Sequence, residues 1–301
     1  MKPGSKVAIT CCSNGLSQEQ TSTIDRLVQI LERSGFVPVL SPFLYGDENG
    51  YAGTARQRAD ALMNFYRDES IEEIFDVSGG DMANEVLPYL DFQEIAYSKK
   101  HFWGYSDLTT ILNAIYARTG KSSVLYQIRN LTYDHSETQL RDFLGTVLTG
   151  SQELFDFPYE FIRGTHMEGM VVGGNIRCLL KLAGTPYWPD MRDKILLLEA
   201  YSGKIPQMVT ALSQLSQLGV FKKINGILLG TFTCMEQENC QPDMCQLIQE
   251  FAEKRTPIAH TGYLGHGTDS KAIRIGHHIK LYSSKANSRI YKGLSPEASE
   301  S

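Results

Sequence analysis

Residues 101–120 read HFWGYSDLTTILNAIYARTG, and this stretch decides the fold. Residues 101–105 form a short apolar run suited to a buried strand. Residues 108–118 carry helical periodicity and are followed by Gly120, a C-terminal stop. Only Ser106 and Asp107 separate the two, so strand and helix meet at a sharp turn. In an open α/β sheet such turns face the crevice where ligands bind.

The same alternation extends in both directions. Strands are expected at 6–10, 36–40 and 71–77, and helices at 17–34, 54–67 and 83–90, the last bent near Pro88. Strands separated by helices at this spacing predict a parallel sheet covered on both faces. Residues 149–169 show no clear period and read as a crossover between domains. Beyond them, 170–172, 194–198, 224–229 and 257–260 are strand-like, and 206–218 and 244–254 are helical. The expected organisation is an N-terminal α/β domain over 1–150, a linker over 151–168 and a C-terminal domain over 169–301, with a polar tail from about residue 284.

Composition narrows the function. The 301 residues are 42% apolar and 21% charged, ordinary for a globular protein with a sizeable core. A net charge of -5 with no long basic run argues against a nucleic-acid partner. No apolar span is long enough for a membrane helix, and the run at 7–10 is too short for a signal peptide, so a cytoplasmic protein with no membrane partner is expected. The six cysteines (Cys11, Cys12, Cys178, Cys234, Cys240 and Cys245) read as reduced structural thiols. Cys234, Cys240 and Cys245 lack the paired spacing of zinc sites and have no His among them, so no metal is expected.

Four features could carry chemistry. Ser106 sits on the strand-to-helix turn. The amide of Asp107 lies where unsatisfied N–H groups and the helix dipole favour an anion. Locally, capping is the commoner role for such a Ser or Asp, and Leu108 stands where the Gly-x-Ser-x-Gly elbow has its second Gly. Ser78-Gly79-Gly80 ends a strand in bare backbone, either a tight turn or an oxyanion donor through the Gly80 amide. Glu199 follows the apolar run Ile195-Leu196-Leu197-Leu198, where a carboxylate can orient a histidine or make a structural ion pair. His266 lies between Gly265 and Gly267 in a loop, and imidazole as a group suits a base near neutral pH. Ser, Glu and His in that order make a nucleophile, an orienting acid and a base.

The runs Val77-Ser78-Gly79-Gly80-Asp81, Gly104-Tyr105-Ser106-Asp107, Gly173-Gly174-Asn175, Leu197-Leu198-Glu199 and Gly265-His266-Gly267 resemble the landmarks of the LD-carboxypeptidase family of serine peptidases. That family includes muramoyl-tetrapeptide carboxypeptidases and microcin C self-immunity peptidases. The resemblance runs from Lys6 to Leu281. It implies a three-layer N-terminal α/β domain with a mostly parallel sheet and a smaller β-rich C-terminal domain, the active site lying between them. Ser106 is then the nucleophile, Glu199 the acid and His266 the base. The Gly79-Gly80 turn and Asp107 line the oxyanion site through the amides of Gly80 and Asp107. No cofactor or metal, and a homodimer, are also implied. The implied reaction releases terminal D-Ala from a murein tetrapeptide at an L,D-peptide bond. The alternatives are hydrolysis of peptidyl or aminoacyl nucleotide analogues, and a binding protein without catalysis.

Three departures bear on the substrate. Ala200-Tyr201-Ser202-Gly203 follows Glu199, where recycling enzymes tend to carry a further acid. The helix from Pro206 lacks the family's Asp-Arg pair, and the first strand ends Cys11-Cys12-Ser13-Asn14. Tyr187 and Trp188 are aromatic candidates for stacking on a base. Arg177, beside the Gly173-Gly174-Asn175 turn, is a candidate for holding the substrate's carboxylate.

Overall fold

The computed structural model describes residues 1–283, so the polar tail expected from about residue 284 lies outside the described residues. The N-terminal half runs β1 (Lys6–Thr10), α1 (Thr21–Arg33), β2 (Val37–Leu40), α2 (Ala55–Arg67), β3 (Ile71–Asp76), α3 (Phe92–Tyr97), β4 (Phe102–Gly104), α4 (Thr109–Thr119), β5 (Ser123–Leu125) and α5 (Ser136–Thr149). The second half runs β6 (Glu160–Arg163), β7 (His166–Asn175), α6 (Ile176–Leu180), β8 (Lys194–Ala200), α7 (Ile205–Gln217), β9 (Gly226–Phe232), α8 (Thr233–Gln237), α9 (Met244–Phe251), β10 (Ile258–His260), β11 (Ile273–Ile275) and β12 (His278–Tyr282). The strands form two six-stranded sheets, ordered β11-β5-β4-β3-β1-β2 and β12-β7-β8-β9-β10-β6. Both are mostly parallel, giving the expected two-domain α/β architecture.

Alternation along β1 shows how the layers stack. Val7 and Ile9 enter a core with α1 and α5, while Ala8 enters one with α2, α3 and α4. Successive side chains of a strand point to opposite faces, so the first sheet is covered on both. The second core also takes in Val171, Ile195, Leu197 and Leu228 of the second sheet, so it is shared between domains. Val172, Leu196, Leu198 and Leu229 face the other way, against α7 and α9.

Helix α4 lies between the sheets and is fastened to β7 by buried polar groups. Asn113 Nδ2 donates to Gly173 O at 2.9 Å, and Gly173 N donates to Asn113 Oδ1 at 2.8 Å. One turn earlier, Asn175 N donates to Thr109 Oγ1 at 3.0 Å. A β-carbon on Gly174 would sit 2.7 Å from Thr109 Oγ1, so the glycine is what lets strand and helix approach.

Several segments differ from their sequence pattern. Residues 83–90 form a 3-10 helix, Ala83–Tyr89, with Pro88 inside it. Proline removes an N–H donor and clashes with an α-helical carbonyl, so the segment does not close as an α-helix. Residues 151–168 contain β6 and the start of β7. β5 has three residues, and α5 buries Gln139 and Asp142 beside Phe143, so neither shows strong apolar periodicity. β11 pairs antiparallel with β5, returning the chain to the first sheet.

Replacing Asn113 by Leu would leave both polar groups of Gly173 buried without partners. The expected cost is on the order of 3 kcal/mol, read as a lower urea midpoint with an unchanged m-value.

Candidate active site

β4 ends at Gly104, and the chain turns through Tyr105 into Ser106, which has φ of 56°. A non-glycine residue in this region is strained, and the turn lifts Oγ away from the strand. Ser106–Leu108 is a 3-10 turn leading into α4. Neither Ser106 nor Asp107 caps that helix with its side chain, which corrects the capping role considered for both.

The Asp107 carboxylate instead braces the turn. It is fully buried and accepts from Ser13 Oγ at 2.6 Å, from Ala83 N at 2.8 Å and from Lys181 Nζ at 2.5 Å. Ser13 N in turn donates to Ser78 Oγ at 3.0 Å. Asp76 accepts from Ser78 N at 2.8 Å, from Ser78 Oγ at 2.5 Å and from Cys12 N at 2.7 Å. The carboxyl ends of β1, β3 and β4 are therefore one connected network.

The Gly79-Gly80 turn faces this serine: a β-carbon on Gly79 would lie 3.9 Å from Ser106 Oγ. Gly80 has φ of 122°, and a β-carbon there would meet Asn14 Oδ1 at 2.2 Å. Asn14 Oδ1 also accepts from Asp81 N at 2.7 Å and so fixes the turn. Arg177 pairs with Asp81.

Glu199 comes from β8, where the register with β9 shifts between Leu198 and Ala200. Such irregularities re-aim a side chain. Glu199 pairs across β7 with Asn175, the residue held by Thr109. His266 sits in the loop between β10 and β11. Thr231 N donates to Leu264 O at 2.8 Å, and Ser270 Oγ donates to Gly265 O at 2.8 Å, which pins the loop on β9. A β-carbon on Gly265 would lie 2.0 Å from Thr231 Oγ1.

The three side chains meet. His266 Nδ1 lies 2.7 Å from Glu199 Oε2, and His266 Nε2 lies 3.2 Å from Ser106 Oγ. The His266 and Glu199 side chains are 5% and 1% exposed, so their contact is shielded from water. Two tyrosines hold the imidazole. The Tyr105 ring lies 4.5 Å from it and the Tyr201 ring 5.0 Å, the latter at an interplanar angle of 34°. Burial, foremost, pushes the Tyr105 phenol pKa up, so it stays neutral. Sequence patterns missed Ser13, Asn14, Asp76, Tyr105 and Lys181 as supporting groups. Their signal was their position at strand ends or, for Lys181, just after the end of α6. No group of three or more His, Cys, Asp or Glu among the described residues is arranged to hold a metal.

Models of the LD-carboxypeptidase N-terminal and C-terminal domains match residues 7–126 and 168–281. The chain belongs to the LD-carboxypeptidase family. It is a serine peptidase by that membership. It is 28% identical over 293 residues to the "Probable murein peptide carboxypeptidase" of Bacillus subtilis (strain 168), covering 91% of this chain and 89% of that one. It is 27% identical over 238 residues to the microcin C7 self-immunity protein MccF of Escherichia coli, covering 68% and 69%. The solved structure of MccF in complex with glutamyl sulfamoyl guanosine matches with a TM-score of 0.85 at 22% identity, covering 97% of each chain, which shows the shared fold. Among the described residues no helix is long and apolar enough to cross a membrane.

Burial, above all, raises the Asp76 pKa from 3.8 to about 6, against the hydrogen bonds from Ser78 and Cys12. A raised folded pKa means that its stability contribution is complete below the unfolded value and is lost as pH rises through the folded one. Unfolding midpoints in urea are therefore expected to fall between about pH 4 and pH 6 on this account, and Asp76→Asn is expected to flatten that portion of the profile.

Proposed function

We propose that this LD-carboxypeptidase family member is a cytoplasmic serine carboxypeptidase that releases terminal D-Ala from murein tetrapeptide at an L,D-peptide bond. The observation that carries the reading is the line Ser106 Oγ, His266 Nε2, His266 Nδ1, Glu199 Oε2, with contacts of 3.2 and 2.7 Å. The similarity to the murein peptide carboxypeptidase over 91% of the chain supports the substrate class.

In this reading Glu199 accepts a hydrogen bond from His266 Nδ1–H and fixes the tautomer, so Nε2 takes the proton of Ser106. Ser106 Oγ attacks the carbonyl that precedes the terminal residue. The oxyanion is met by the amides of Asp107 and Gly80. Collapse of the tetrahedral intermediate breaks the C–N bond, and His266 gives its proton to the leaving amine. Water, deprotonated by the same imidazole, then hydrolyses the acyl-enzyme. Tyr105 and Tyr201 pack against the ring and keep it in line. The chemistry calls on no cofactor, and the homodimer implied by the family remains part of the reading.

A second reading is hydrolysis of peptidyl or aminoacyl nucleotide analogues. It is favoured by the 27% identity to MccF and by Tyr201, which is 59% exposed beside the imidazole and offers a face for stacking. A binding role without catalysis is disfavoured by the aligned Ser, His and Glu.

The test offers the protein murein tetrapeptide and an aminoacyl sulfamoyl adenylate and follows both by mass spectrometry. D-Ala release is expected, with kcat falling about 10^4-fold or more in Ser106→Ala and in His266→Ala. Cleavage of the adenylate alone would replace the first reading by the second. A fluorophosphonate probe is expected to label Ser106, and labelling is expected to vanish in His266→Ala.

A further inference from the structure

The carboxyl ends of three neighbouring strands surround Ser106. β3 supplies the Gly79-Gly80 turn on one side, and β5 supplies residues 126–132 on the other. Gly104 of β4 pairs with Leu125 of β5, and Tyr126 N continues the ladder to Gly104 O at 2.9 Å. Ser106 and Gln127 are therefore level, each two residues beyond the Gly104–Leu125 pair. Arg129 lies two residues further, on the turn that flanks the serine opposite the glycines.

The backbone of Arg129 is fixed from both sides. Its N–H donates to Gln127 Oε1 at 3.2 Å, and its carbonyl accepts from Thr132 Oγ1 at 2.7 Å. Its guanidinium is different. The side chain is half-buried, its Nε is sealed from solvent without a hydrogen-bond partner, and it forms no ion pair with a described residue. Guanidinium presents donors in a planar fork that matches a carboxylate, and burying it unpaired is unfavourable. The other cations beside the site are matched: Arg177 by Asp81, and Lys181 by the buried Asp107. Arg177, the candidate from sequence, is thus already engaged. Arg129 also acts on the site electrostatically: it opposes the burial that raises the pKa of Tyr105, the residue before Ser106.

A carboxypeptidase must distinguish a chain end from a chain interior, and the mark of the end is a negative charge one residue beyond the scissile carbonyl. We propose that Arg129 receives the free carboxylate of the substrate's terminal residue and so confines hydrolysis to the last peptide bond. This rests on Ser106 being the nucleophile and deepens that reading. The oxyanion would lie toward Gly80 and the terminal carboxylate toward Arg129, which orients the substrate across the ends of β3, β4 and β5.

Binding and turnover are measured separately. Calorimetric titration of Ser106→Ala protein uses murein tetrapeptide ending in D-Ala and the same peptide ending in D-alaninamide. The acid is expected to bind about 10- to 100-fold more tightly than the amide. Adding Arg129→Gln is expected to bring the acid down to the level of the amide, and Arg129→Lys to retain part of the preference. In the otherwise native enzyme, Arg129→Gln is expected to raise KM for the acid with kcat changed only a few-fold. The proposal is overturned if acid and amide bind alike, if neither binds, or if the preference survives Arg129→Gln. A lower thermal midpoint in Arg129→Gln would reveal an internal partner for the guanidinium and overturn it too. An acid preference that depends on Arg129 without any hydrolysis would uphold the carboxylate site while sinking the proposed reaction.

Discussion

The hydrogen bonds between Asn113 and Gly173 and between Thr109 and Asn175 set the geometry on which the rest depends. They join a helix of the first domain to a strand of the second. Ser106 stands at the entrance to that helix, and Glu199 is the register partner of Asn175 on the next strand. The path from serine through α4 to β7, across to β8, and back through His266 to the serine is closed. Any slip of one domain over the other would open the 3.2 Å contact between Ser106 and His266. Misplacements of about 1 Å can cost a hundredfold in rate, so a buried polar clamp is a better fastening than apolar packing, which tolerates sliding.

Electrostatics at the site follow the same division between fixed and free. Asp107 and Asp76 are buried, and each accepts three hydrogen bonds, so these side chains hold backbone turns in place. Lys181 offsets one of them from the second domain, which makes an ion pair part of the domain contact as well. Ser106 and His266 stand apart from these braces, with the imidazole packed between two tyrosines.

Much of this was legible in the sequence. Ser106, Gly79, Gly80 and Glu199 all sit where an apolar run stops at a turn, and the parallel-sheet rule already places such positions at a crevice. His266 was visible only as an imidazole between two glycines, and Glu199 as a carboxylate able to orient a histidine. The brace of Ser13, Asn14 and Asp76 was hidden because it depends on which strands are neighbours. β1 lies beside β3, and no local pattern states that order. β5 and α5 were obscured by shortness and by buried polar groups. Arg177 was the cation nearest in sequence to a recognised turn, whereas Arg129 borders the site only because β5 pairs with β4.

The return of the chain through β11 has a consequence for modularity. The two family models divide the chain at residues 126 and 168, as though each half were a transferable unit. Yet β5 is flanked on its outer side by Ile273–Ile275, a strand from the far end of the sequence. An N-terminal half expressed alone would present β5 as a bare edge, with N–H and C=O groups ready to pair with another copy. Evolution could exchange the halves of such a protein only together with the short strand that seals the first sheet, so inheritance is tied more tightly than the linear division of the chain suggests.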